Sequence, residues 1–206
     1  MFDFTYLGLK LNYNNQFTVA QKDLSIRASR AMFAMLKKSS RLSLPLDVMF
    51  DLFDKTVVPV LTYGCEVWGT SVTDTILKLQ RKFYKMVLQL RQSTPTPMLF
   101  GETGNVSVDV HIKNRVLNYW LRLCHPDYKH KISSVVYKFL YKLYLEKRYE
   151  SPYITFVKKT LQDIGLHGIW LDQEDITFSP NWFKENVKRR LSDSFIHNWY
   201  ISIDQG

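Results

Sequence analysis

Val57-Val58-Pro59-Val60-Leu61-Thr62-Tyr63-Gly64-Cys65-Glu66-Val67-Trp68-Gly69 is the densest apolar stretch of the chain. It has neither a helical stripe nor a two-residue alternation, and a segment apolar on every side is ordinarily buried. Pro59 disfavours a straight helix, while Gly64 and Gly69 permit tight turns or a close backbone approach. The stretch predicts a kinked, buried helix against which amphipathic helices pack.

Those neighbours are legible on both sides. Thr18 and Gln21 have capping-box spacing and open a helix running to about Lys38. At 100° per residue, Ala20, Leu24, Ala28, Ala31, Met32 and Met35 share one arc, which is the predicted core face. Arg30 and Lys37 lie on the far side beside Ile26 and Phe33, with Arg27 nearer the boundary. Pro45 suits the first turn of the next helix. Asp47, Asp51 and Asp54 share a face there, yet they have no fourth oxygen ligand nearby and read as a solvated, dipole-matched face, not a metal site.

The helix predicted over 72–91, capped by Ser71 or Thr73, has two sharply different sides. Ile76, Leu79, Phe83, Met86, Val87 and Leu90 form a core arc, and Lys78, Arg81, Lys82 and Lys85 form an opposed cationic stripe. Residues 1–40 carry six basic and two acidic side chains, and residues 71–91 carry five and one. Nearly all of the net charge of +9 therefore resides in these two segments. A polyanionic partner is the expectation, in the form of phosphate contacts to nucleic acid.

Toward the N-terminus, Phe2 to Leu11 alternates as a strand interrupted at Gly8. Tyr13-Asn14-Asn15-Gln16 reads as a turn, with a return strand at Phe17-Thr18-Val19. Such a hairpin is marginal alone, so a fragment of a larger sheet is expected. Downstream, Leu99 to Gly104 reads as a short turn, and Ser107 caps a helix burying Ile112, Val116, Tyr119, Trp120 and Leu123. A helix over 132–149 presents Val135, Val136, Phe139, Leu140, Leu143 and Tyr144. Ser151-Pro152 and Ser179-Pro180 begin two more, reaching about Gly165 and about His197. The fold class is thus mainly α, a multi-helix bundle with a short N-terminal β-hairpin.

Catalytic signatures are missing from the sequence. It has no phosphate-cradling glycine loop, GxSxG, HExxH or CxxC, and its five histidines have no ligand spacing. No cofactor or metal is expected. Two cysteines, neither in a metal pattern, fit reduced thiols and an intracellular location, nuclear or cytoplasmic. No apolar run is long enough to cross a membrane.

Three motifs in order, Phe4-Thr5-Tyr6-Leu7-Gly8, Val58-Pro59-Val60-Leu61-Thr62-Tyr63-Gly64-Cys65-Glu66-Val67-Trp68-Gly69, and Phe100-Gly101-Glu102-Thr103-Gly104 followed by Asn118-Tyr119-Trp120, resemble reverse transcriptases of non-LTR (LINE-type) retrotransposons downstream of the palm. The resemblance covers about residues 2–125. It implies a primer-grip-like hairpin over 1–18 with Tyr6, Leu7 and Gly8 near a primer end, a thumb-like region over 19–91, and a downstream helical region over 92–206. It further implies that the parent palm sheet is lacking here, or is supplied by another chain. The family's aromatic-x-Asp-Asp motif is missing, so the chain alone is expected to be inactive as an RNA-directed DNA polymerase. What carries over is a grip on RNA or an RNA/DNA template-primer duplex, through Lys78, Arg81, Lys82 and Lys85 assisted by Arg27, Arg30 and Lys37. The alternative expectation is an inert folded remnant or a protein-interaction module without nucleic-acid binding.

Overall fold

A computed structural model describes residues 3–12 and 17–204. The architecture is mainly helical with one two-stranded antiparallel sheet. Two compact units emerge, Met1–Asp109 and Val110–Gly206.

The first unit begins with β1 (Asp3–Tyr6) and β2 (Leu9–Asn12), paired in the register Asp3↔Asn12 to Tyr6↔Leu9. The turn is therefore at Leu7-Gly8 and corrects the expected hairpin, in which Gly8 merely interrupted one long strand. Leu7 has φ 46° and Gly8 φ 83°, the two positive values that a type I′ two-residue hairpin loop requires. The expected turn at 13–16 lies outside the described residues. Phe17-Thr18-Val19 is not a return strand, because α1 (Thr18–Ser39) starts there.

The helices α2 (Leu46–Thr56), α3 (Val58–Leu61), α4 (Cys65–Trp68), α5 (Asp74–Val87) and α6 (Thr96–Thr103) complete this unit. The central apolar stretch is thus two single turns, not one kinked helix. Gly64 breaks it at φ 66°, where a Cβ would come 2.9 Å from Leu9 Cδ1. Val57, Leu61, Cys65 and Trp68 are fully buried, but Tyr63 and Val67 face outward, so the stretch is only partly enclosed. Phe53 stacks on Phe83 with ring centroids 4.1 Å apart, tying α2 to α5.

One predicted cap is replaced and the other holds its position without a bond: Thr73 is the cap residue of α5. Phe17, not Thr18, occupies the cap of α1, and neither it nor Thr73 makes a side-chain capping bond. Gln21 is instead buried and bridges to the start of α5, its Nε2 donating to Ser71 O at 2.7 Å and its Oε1 accepting from Thr73 N at 2.7 Å. The expected turn over 99–104 is the second half of α6, which has Pro97 in its first turn and ends at Gly104 with φ 64°. Gln80 of α5 holds the chain after α6, donating to Val106 O at 3.0 Å and accepting from Val108 N at 2.8 Å.

The second unit takes in nearly all of α7 (Val108–Cys124), then α8 (Ile132–Leu145), α9 (Pro152–Asp163), α10 (His167–Leu171) and α11 (Pro180–Asp204). Ser107 Oγ accepts from Asp109 N at 3.3 Å at the start of α7, as predicted. Trp120, Trp170 and Phe183 form the aromatic centre, Trp120 lying 6.0 Å from Trp170 and 5.9 Å from Phe183 between ring centroids. α8 corrects the expected facing. Its Tyr137 is buried, whereas of the six residues it was expected to present Val135, Val136 and Phe139 are exposed and Leu140, Leu143 and Tyr144 are half-buried.

Candidate nucleic-acid interface

Burial of one face of α1 against one face of α5 creates the site. Ala20, Leu24, Ala28 and Met32 from α1 and Ile76, Leu79 and Phe83 from α5 are buried, and the two helices pack directly on each other. Ser25 Oγ donates to Thr75 O at 3.2 Å, and Gln21 secures the N-terminal end of α5. The sides flanking this contact form an open groove of about 460 Å³, lined by Lys22, Ser25, Ile26, Ser29 and Arg30 from α1 and by Thr75, Lys78, Leu79 and Lys82 from α5. Four cations thus surround a floor of aliphatic carbon. Lys82 Nζ also lies 4.9 Å from the centroid of the half-exposed Phe33 ring, a cation–π contact across the two helices.

The four cations predicted on α5 divide into two pairs. Lys78 and Lys82 line the groove. Arg81 and Lys85 are not among its lining residues. Arg81 bonds to Asp74, and Lys85 Nζ donates to Gln92 O at 2.5 Å. Asp74 also accepts from Lys78 at 2.8 Å, and hydrogen bonds from Lys78 and then Arg81 hold its carboxyl below the ordinary range. The lone acid of this helix therefore neutralises part of the stripe at its N-terminal end.

On α1, Arg30 lines the groove, and Lys37, seven residues on, lies about 10 Å further along the same face at 1.5 Å per residue. Arg27 points elsewhere, into an ion pair with Asp23, which Lys10 of β2 joins at 3.0 Å. Burial alone would raise the Asp23 pKa, but the hydrogen bond from Lys10 and the charge of Arg27 outweigh it and lower the value. This trio fastens the hairpin to α1. Lys22 was missed by the sequence reading, although Lys22, Ile26, Ser29, Arg30, Phe33 and Lys37 follow one another at helical spacing on a single face.

Tyr6, Leu7 and Gly8 occur at the tip of the hairpin, with Tyr6 and Leu7 largely exposed. Tyr63 Oη donates to Leu7 O at 2.9 Å, and a Cβ on Gly8 would lie 3.6 Å from Tyr63 Cε1. The hairpin tip and the central apolar stretch are therefore braced directly against each other. Asp51 accepts from Lys55 at 2.6 Å, and among the described residues no three metal-ligating side chains come together. Among the same residues, no helix is long and apolar enough to cross a membrane.

Comparison with protein-family models, curated proteins and solved structures finds no match to the chain.

Proposed function

We propose that the first unit is a sequence-independent grip for an RNA-containing strand or duplex, a thumb-like part of a non-LTR retrotransposon reverse transcriptase that lacks catalytic carboxylates of its own. The observation that supports this best is the groove between α1 and α5, with Lys22, Arg30, Lys78 and Lys82 around an aliphatic floor. Lys78 and Lys82 are one helical turn apart, about 6 Å along the axis, which matches about two phosphate steps of a duplex strand. Phe33 and Ile26 supply apolar surface for a sugar or an unstacked base beside those phosphates. The hairpin braced by Tyr63 supports the reading through its likeness to a primer grip. Polymerase chemistry is assigned to no residue of this chain. A palm on another chain would have to provide it.

The test compares Arg30→Gln/Lys78→Gln/Lys82→Gln with Arg81→Gln/Lys85→Gln on a fluorescent RNA/DNA duplex between about 50 and about 200 mM salt. Each phosphate contact contributes about 0.9 to the slope of log affinity against log salt, so the groove variant is expected to lower that slope by about two to three. The second pair should change it by less than about one. Equal losses in both variants, or no binding by the unmodified chain at low salt, would refute the assignment.

A further inference from the structure

α8 is apolar on two opposite sides, and only one of them is used. Tyr137 is buried, its Oη donating to Gln173 Oε1 at 2.5 Å and accepting from Trp120 Nε1 at 2.8 Å. Tyr141 and Tyr144, on the same side, pack edge-on to Trp170. The opposite side carries Ile132 at 83%, Val135 at 55%, Val136 at 49% and Phe139 at 61% exposure. At 100° per residue these four share an arc of about 100°, the width of a normal core stripe. A contiguous apolar stripe left in water marks an interaction surface.

The charges beside the stripe indicate what covers it. Lys131, Lys138 and Lys142 fall in one row along the Val135 edge, over about 16 Å of helix. Ser133 and Leu140 make the other edge neutral. Lys138 and Lys142 share a cleft with Glu174 and Asp175, yet among the described residues Lys138 is in no ion pair and Lys142 reaches a carboxylate, that of Glu146, only at 4.0 Å, so both ammonium groups stay available to a partner. Lys131 Nζ sits over the Tyr128 ring at 4.6 Å. A second copy fits poorly: an antiparallel pair of α8 helices sets lysine row against lysine row, and a parallel pair leaves both rows unmatched. A lipid surface does not distinguish one edge of a helix from the other, whereas cations on one edge suit a partner whose stripe is itself one-sided.

We propose that this face of α8 docks an amphipathic helix of another protein, one that presents an aliphatic stripe with carboxylates along a single edge. The surface belongs to the second unit and does not depend on the function proposed for the α1–α5 groove. Val135, Val136 and Phe139 enter the partner's stripe, and Lys138 and Lys142 meet its acids.

The full chain is titrated by fluorescence anisotropy with a synthetic helical peptide of about four turns, carrying a leucine stripe and a glutamate edge, and with a twin in which lysine replaces each glutamate. The acidic peptide is expected to bind at least about 10-fold tighter than its twin. Phe139→Glu should abolish binding while leaving the far-ultraviolet dichroism and the melting profile unchanged, because the side chain is exposed. Lys138→Glu/Lys142→Glu should reverse the preference in favour of the basic peptide, which a purely hydrophobic contact would not do. Equal affinity for the two peptides overturns the proposal. So does concentration-dependent self-association lost in Phe139→Glu, which assigns the face to a second copy. Retention on phosphatidylserine vesicles, lost in Phe139→Glu and without peptide discrimination, assigns it to a membrane and also overturns the proposal.

Discussion

Replacing Gln21 by leucine tests whether the groove is held open by a buried amide. The side chain is fully buried and makes two bonds of 2.7 Å, one from Nε2 to Ser71 O and one from Thr73 N to Oε1. Leucine fills similar space, so the cavity contribution is small. What is lost is pairing for two backbone groups. Ser71 is exposed and its carbonyl can return to water, at a cost of about 1 kcal/mol, while the more sheltered Thr73 amide costs about 2 kcal/mol. Removing the desolvation of the glutamine amide returns about 1 kcal/mol. The net destabilisation of about 2 kcal/mol corresponds to a fall of about 4 to 8 °C in Tm for a chain of this size. Hydrogen exchange read by mass spectrometry on the peptide containing Thr73 locates the effect, since that amide should lose most of its protection. Gln21→Glu gives a second handle. Its ionised carboxylate still accepts from Thr73 but repels Ser71 O, and protonation restores a donor, so this variant should gain stability relative to the parent as pH falls. A Gln21→Leu variant that melts within about 1 °C of the parent, with Thr73 still protected, would refute the reasoning.

Gly64→Ala forces an alanine into φ 66° and brings its Cβ to 2.9 Å from Leu9 Cδ1, so it should cost at least about 1 to 2 kcal/mol and loosen the hairpin, as thermal melts and exchange over 9–12 would report. Burial pushes the Cys124 thiol up from 9.0 to about 12. A neutral thiol stabilised by folding contributes fully below pH 9 and loses its contribution as pH rises toward 12. Stability should therefore decline through that window, where the buried Tyr84 and Tyr137 hydroxyls, also held neutral, add to the fall, and Cys124→Ser should lessen the decline most clearly below pH 10. For the same reason, and because Cys65 is fully buried, neither thiol should react readily with a disulfide reagent at about pH 8 until denaturant is added.

α5 was readable from its sequence because one periodicity separates it into a buried and a charged side, and Ile76, Leu79 and Phe83 are buried as that period requires. Met86, expected in the same arc, is 38% exposed, since it lies near the end of the helix where fewer neighbours cover it. Gln21 was misread for a different reason. Spacing from Thr18 describes a local cap, but the amide found better-placed backbone partners fifty residues away. The hairpin was misplaced because the change of apolar phase at Leu7-Gly8, from Phe4 and Tyr6 to Leu9 and Leu11, reads equally as an interruption within one strand, and the positive φ values, supported by Tyr63 from a remote segment, mark it as a reversal.

Local order alone settled that this chain is helical, where its apolar arcs lie, and that its positive charge is concentrated in two segments. Period and propensity act over a few residues, and composition needs no coordinates. Which cations converge was decided by packing: Lys78 and Lys82 line the groove beside α1, while Arg81 is drawn to Asp74 and Lys85 to the Gln92 carbonyl. The same holds for α8, whose two apolar sides are equivalent by periodicity until Trp120 and Trp170 take one and leave the other to solvent.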